Sequence, residues 1–423
     1  MPDVRTHADD LIEFVSSSPS SYHAAAEGAR RLATAGYRQQ IETESWDCEL
    51  GGHFLIRDGA LVAWRIGADA SVAAGFRIVG SHTDSPTFKL KPNPSVARFG
   101  WRQAGVEVYG GPLLNSWLDR ELGLAGRLVD RDGRTHLVRT GAVMRIPQLA
   151  IHLDRGITDE GVKLDKQLHT QPVWGVGDDA LDLLGHLAQT AGMTSADQVA
   201  GCDVVAFDTA RGGYFGVEEE FLACGRLDNL SSVHASIVAL LAADDHDQIP
   251  VLVAFDHEEI GSGSRSGACG PILSDVVQRI AGALGADAET LYQGLARSVC
   301  VSSDAGHAVH PNYPYKHDPV NHPVAGGGPL LKLNANQRYA TDAVGAAVWQ
   351  RAGEAADVTS QSFVSNNQVP CGSTIGPLTA TRLGITTVDV GTPLLSMHSA
   401  REMCGVADPY ALSRALTAFW QAD

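Results

Sequence analysis

The feature that most narrows the fold is the recurrence of short, mainly apolar runs separated by helix-length segments. Val251–Phe255 is apolar throughout, Ala60–Arg65, Phe76–Val79 and Ser298–Val301 are close to it, and Ser362–Asn366 and Thr386–Val390 read as further strands. Such a run reads as a strand buried on both faces, since it has no polar side to offer water. Between and around these runs, Leu230–Ala243, Ser274–Leu284 (with Ser274 as a cap candidate), Thr341–Glu354 and Pro409–Ala422 have helical composition. Two more helices are expected at the start, Arg5–Val15 and Ser21–Ala35. Ser20 or Ser21 caps the second and Gly36 closes it. The alternation implies an α/β fold with a mostly parallel sheet flanked by helices.

From about Asn93 the character changes. Val106–Tyr109, Leu124–Val129 and Thr135–Arg139 read as β segments, and Asp132-Gly133 is a hairpin signal between the last two. His152 to Gly177 is polar and loop-like, and Ala180–Ala191 reads as a helix. A chain of 423 residues implies about two to three domains. The expected division is a discontinuous catalytic domain, 1–92 and 223–423, with a β-rich domain inserted at 93–222. Gly326-Gly327-Gly328-Pro329 reads as a mobile loop, and Gly261 to Gly267 as a flexible turn.

A net charge of −17 argues against nucleic acid or anionic membrane as partner, because both require a basic surface. No apolar run approaches the roughly 20 residues needed to span a bilayer. The first thirteen residues, with Asp3, Asp9 and Asp10, lack the basic-then-apolar order of a secretory signal. Seven scattered cysteines without a C-x-x-C pair read as reduced, mostly buried thiols. A cytoplasmic location is expected.

The chemistry sits where predicted strands end. Phe76–Val79 leads to His82 and Asp84, Val251–Phe255 to Glu258 and Glu259, Ser298–Val301 to Asp304, and Thr386–Val390, after a short loop, to His398. Open α/β sheets bind ligands at this edge. With Asp228 added and Asp84 set aside, two imidazoles and four carboxylates can hold two divalent metals and leave one carboxylate to move a proton. The expected assignment is His82, Asp228 and Asp304 on one ion, and Asp228, Glu259 and His398 on the other, with Asp228 as the bridge. Imidazole and carboxylate together suit zinc, with manganese or cobalt as substitutes. Glu258 is the expected general base and Asp84 the partner that fixes the His82 tautomer. Taken singly these pieces are weak: an H-x-D is usually a surface loop, a Glu-Glu pair a solvated helix end, and Asp228-Asn229 a helix cap.

Together, Gly80–Pro86, Arg226–Leu230, His257–Ser262, Ser303–Tyr313, Asn336–Ala340, Pro370–Pro377 and Met397–Glu402 resemble the aspartyl aminopeptidases, the M18 metallopeptidases, in family order across almost the whole chain. The resemblance implies a zinc-peptidase-like catalytic domain and an inserted dimerisation domain. It also implies removal of an N-terminal residue from peptides, preferably Asp or Glu though neutral residues such as Leu are preferred by some relatives, by attack of a metal-bridging hydroxide. It carries substrate contacts to His307, Lys332, Tyr339 and His152, the last reaching a neighbouring subunit, within a homo-dodecamer built from dimers. An acidic substrate side chain needs a cation, for which Lys332 is the first choice and Lys316 the second. One departure is Gln148, where many relatives carry histidine. The alternative is a metal-dependent amidohydrolase that deacylates small N-acyl amino acids, which would need no free α-amine. A further one is an assembly protein that kept the scaffold.

Overall fold

A computed structural model describes residues 3–47, 49–177 and 182–422. It divides into two compact units, one comprising residues 1–84, 212–397 and 402–423, the other 85–211 and 398–401.

The first unit is built on a nine-stranded sheet among the described residues. Its centre is four parallel strands side by side: Ile249–Phe255, Phe76–His82, Val299–Ser303 and Thr386–Gly391. Ala60–Ile66 and Gly51–Arg57 extend it antiparallel on one side, with Arg38–Gln39 at that edge. Leu330–Leu333 runs antiparallel to Thr386–Gly391 on the other side and parallel to Gln361–Val364. The architecture is α/β with a mostly parallel sheet.

The apolar runs have the two-sided burial expected of them. In Ile249–Phe255, Val251, Val253 and Phe255 join one core cluster, while Leu252 and Ala254 join the other. Helices Val4–Ser17, Ser21–Thr34, Leu227–Ala242, Ala343–Ala356 and Asp408–Gln421 contribute to the cluster of Leu252 and Ala254; Ile272–Ala283, Ala288–Arg297 and Ile375–Leu383 to that of Val251, Val253 and Phe255. Ser20 caps its helix, accepting from the His23 N–H at 3.4 Å, and Gly36 follows the helix end with φ +89°. Ser274 is no cap: its helix begins at Ile272, and its hydroxyl donates to the Pro271 carbonyl at 2.8 Å.

Two loops expected to be mobile are pinned. The N–H groups of Gly326 and Gly328 donate to the Asp408 carboxylate at 2.7 and 2.9 Å. The 261–267 segment is cross-linked to the chain before it, through Ser262 N–H to the His257 carbonyl at 2.8 Å and Asp256 N–H to the Ser266 carbonyl at 3.1 Å.

Among the described residues the second unit carries a six-stranded antiparallel sheet in the order Thr135–Arg139, Leu122–Asp130, Val199–Asp208, Thr87–Arg98, Trp101–Tyr109, Val173–Val176. The Asp132-Gly133 hairpin forms, with Gly133 at φ +82°. The boundary expected at Asn93 falls inside the strand Thr87–Arg98. A helix runs Leu183–Thr190; positions 180 and 181 of the segment expected there lie outside the described residues, as does Cys48. The six described cysteines are all free thiols. Among the described residues no helix is long and apolar enough to cross a membrane.

Candidate metal centre

His82 closes the strand Phe76–His82, and its imidazole is buried. Its Nδ1 faces the backbone carbonyl of Asp84 at 3.1 Å, which directs Nε2 the other way. There Nε2 meets Asp228 Oδ1 at 3.4 Å, Asp304 Oδ1 at 3.5 Å and Glu258 Oε2 at 3.9 Å. His82, Asp228 and Glu259 each offer a ligand atom within 4.8 Å of the others.

Each carboxylate arrives by a different route. Asp304 follows the strand Val299–Ser303, and its N–H donates to the Val390 carbonyl at 2.9 Å. Asp228 lies at the head of Leu227–Ala242, where it and Asn229 keep non-helical backbone angles. Its N–H donates to buried Glu402 Oε2 at 2.9 Å. Glu258 and Glu259 open a short 3-10 turn after Ile249–Phe255, entered through His257 at φ +66°. That turn is capped by Asp84, whose Oδ1 accepts from Glu258 N–H at 3.0 Å and whose Oδ2 accepts from Glu259 N–H at 3.2 Å. The Asp84 carboxylate therefore aims the Glu pair, and its backbone carbonyl is the nearer group to the His82 ring.

The electrostatics are those of a site short of positive charge. Burial pushes Glu258 up to about 7; His82 opposes this, while Asp304, Asp228 and Asp84 add to it. Burial alone would lower His82, yet Asp228, Asp304, Asp84 and Glu258 together hold it well above its ordinary range. One imidazole among several buried carboxylates suits a divalent cation, which reverses this local imbalance. Donors bound to one tetrahedral zinc at about 2.0–2.1 Å lie roughly 3.3 Å from each other. The 3.4 and 3.5 Å separations from His82 Nε2 match that spacing, and the mixed N/O donor set fits zinc.

Beside Asp304 is a second group of residues. Lys332 is buried; its Nζ donates to the Ala305 carbonyl at 2.6 Å and lies 3.8 Å from Asp304 Oδ2. The Tyr339 ring centroid is 5.3 Å from that ammonium, and Tyr339 and His307 pack edge-on against Phe363 at 6.1 and 6.2 Å. Lys316 is exposed over the Tyr315 ring. Buried Asp389 accepts from Ser302 Oγ at 2.6 Å, Thr374 Oγ1 at 2.5 Å and the Ala340 N–H at 2.6 Å, joining the Tyr339 segment to the strand of Asp304. Phe363, Asp389, Asn229 and Glu402 were not singled out from the sequence as functional residues. Asn229 and Glu402 lie inside the quoted motifs Arg226–Leu230 and Met397–Glu402, whereas Phe363 and Asp389 carry no signal beyond their place in expected strands.

His398 and His152 belong to the second unit. The His398 ring Nδ1 faces the Gly111 carbonyl at 3.0 Å, and its backbone carbonyl accepts from Leu113 N–H at 2.9 Å. His152 is exposed in the loop that also exposes Leu149, Ile151 and Leu153. Gln148 donates through Nε2 to Asp119 Oδ2 at 2.8 Å.

A parallel α/β sheet with imidazole and carboxylates gathered at its strand ends is the arrangement of a metallohydrolase. The sequence comparisons narrow this. A family profile described as "Aminopeptidase I zinc metalloprotease (M18)" matches residues 14–420. The chain is 53% identical to a probable M18 family aminopeptidase 2 of Streptomyces coelicolor, over 99% of this chain and 98% of that one. It is 45% identical to the counterpart from Mycobacterium leprae, over 98% and 99%. Its fold matches a chain in the "Cryo-EM structure of the Ape4 and Nbr1 complex" with a TM-score of 0.94 at 35% identity, covering 99% of this chain and 86% of that one. It also matches the "S. cerevesiae mApe1 dodecamer" with a TM-score of 0.85 at 30% identity, covering 97% and 95%. The chain belongs to the M18 family of zinc metallo-aminopeptidases.

Proposed function

We propose that the chain is a dinuclear zinc aminopeptidase that releases N-terminal Asp or Glu from peptides. The observation that carries this is the buried ring of Asp228, Asp304 and Glu258 oxygens around His82 Nε2. His82, Asp228 and Asp304 would hold one ion. Asp228 and Glu259 would hold the other, with His398 joining them on the strength of its Met397–Glu402 motif. Zinc, when bound, supplies Lewis acidity and makes water a competent nucleophile near neutral pH.

The chain's own groups do the rest. Glu258 Oε2 takes the proton of the attacking water and returns it to the leaving amine. Glu258 is the carboxylate of the cluster that the ion assignment leaves unused, so it is available for both directions of that transfer. Asp84 keeps Glu258 aimed through the turn it caps. Lys332 is the cation for the substrate's acidic side chain: the Ala305 carbonyl takes one of its three donors, and Tyr339 lies alongside. His307 packs against the same Phe363 ring as Tyr339 and is assigned as a further substrate contact. We further assign assembly to the inserted unit: exposed Leu149, Ile151 and Leu153 flank His152, which serves a neighbouring subunit in a dodecamer like that of mApe1.

The deciding experiment is hydrolysis of Asp-, Glu- and Leu-peptides beside their N-acetylated forms, before and after chelation and zinc re-addition. The expected result is zinc-restored release from the free-amine peptides, faster for Asp and Glu than for Leu, and none from the acetylated forms. Cleavage of the acetylated forms would instead indicate an N-acyl amidohydrolase.

A further inference from the structure

We propose, resting on the metal assignment above, that Asn229 is a positioning residue that fixes the separation of the carboxylate carriers Asp228 and Asp304. Asn229 is fully buried. Its Nδ2 donates to the Ser303 carbonyl at 2.9 Å, and its Oδ1 accepts from the Ala305 N–H at 3.3 Å. One planar amide thus grips the chain on both sides of Asp304, while its own backbone is bonded to Asp228.

The sheet explains why a side chain is needed there. Phe76–His82 pairs with Val299–Ser303 only as far as Ser302 opposite Gly80. Past that point, on the side toward Phe76–His82, the Ser303 carbonyl and Ala305 N–H are left without a strand partner. Buried backbone groups must find one. Asn229 supplies a donor and an acceptor in the spacing of a neighbouring strand. On the opposite side, the Asp304 N–H donates to the Val390 carbonyl and the Gly306 N–H to the Thr392 carbonyl, and the Ala305 carbonyl accepts from Lys332. The peptide units around Asp304 are therefore fixed from both sides, and one of the two fixings is covalently continuous with Asp228. Groups that orient metal ligands are commonly worth about ten- to hundredfold in affinity.

The chemistry is specific. Asn offers one donor and one acceptor on a rigid plane. Asp at 229 would keep the acceptor for Ala305 but set an oxygen against the Ser303 carbonyl. Its extra negative charge taken alone would tighten a cation, so weaker binding in that variant would be due to lost geometry.

The test is titration of the full-length apo-protein with zinc chloride against a competing chelator, for wild type, Asn229→Ala and Asn229→Asp, with circular dichroism confirming that each chain is folded. The proposal expects zinc affinity per folded chain to fall about tenfold or more in both variants. It also expects kcat to fall while KM changes little. A residue that serves core stability alone would lower the melting temperature of the apo-protein and leave zinc affinity unchanged; that outcome overturns the proposal. If Asn229→Ala does not fold, Asn229→Asp decides, and affinity equal to or above wild type in it overturns the proposal. A wild-type chain that takes up no zinc overturns the metal assignment as well, which distinguishes the two failures.

Discussion

Glu258 and Glu259 are chemically alike, and their surroundings assign them different work. Glu259 shares a ligand-sized cluster with His82 and Asp228, while Glu258 is 3.9 Å from His82 Nε2. Both are aimed by one carboxylate, since Asp84 caps both N–H groups. Glu258→Gln should therefore retain zinc and lose turnover by about two to four orders of magnitude, the range of a general base. Near-normal kcat in a zinc-loaded variant would reject the assignment. Asp84→Asn leaves one of the two N–H groups facing an amide donor. It should cost about ten- to hundredfold in kcat, with zinc content measured in parallel to show that the ligands persist.

At the scale of elements, the strand Leu330–Leu333 shows how a sheet can deliver a charge. Leu330 and Lys332 are its buried positions, and a lysine occupies a place where a strand would ordinarily bury a hydrophobe. Its cross-strand partner is Phe363, which carries both the Tyr339 and His307 contacts. Lys332→Met keeps the buried volume and removes the charge. The expected outcome is a loss in kcat/KM for Asp- and Glu-peptides that exceeds the loss for Leu-peptides by about tenfold or more, the worth of a charged hydrogen bond. Equal losses on all three would move the specificity role elsewhere. The central strands were legible in the sequence because two-sided burial leaves a continuous apolar run, and the strand ends pointed to His82, Glu258 and Asp304. The missed elements lacked that signal. Thr87–Arg98 contains Pro92 and Pro94, and its pairing register shifts between Leu90 and Ser95. Ile375–Leu383 has Gly376 and Pro377 in its first turn and reads as loop. Asn229 and Glu402 act on backbone groups 74 and 174 positions away, a separation that local pattern cannot register.

For the whole molecule, pH acts on stability through buried groups of opposite sign, so single groups are best read by difference. Burial raises Asp408 to about 6, with the backbone donors of Gly326, Gly328 and Gly405 opposing. Its folded state binds the extra proton, and this contribution favours folding as pH falls from about 6 toward 4. His7 works the other way. It packs against His234 at 4.8 Å and Tyr410 at 5.6 Å, joining the first helix to Leu227–Ala242 and to the last helix. Burial, aided by His234 and opposed by Asp10, lowers His7 to about 3. Burial would raise Asp10, yet its bonds from His234 and Arg31 hold it well below the usual carboxylate range, so it stays ionised. The unfolded chain takes up a proton at His7 near pH 6.5 that the folded chain refuses until about pH 3. Stability from this group is complete above pH 6.5 and is lost as pH falls. His7→Leu removes the refusal. Between pH 6.5 and 4.5 the stability difference between His7→Leu and wild type should move toward the variant by roughly 2–3 kcal/mol. Urea denaturation of both chains across that range measures it, and a pH-independent difference would mean that His7 is accessible to protons in the folded state.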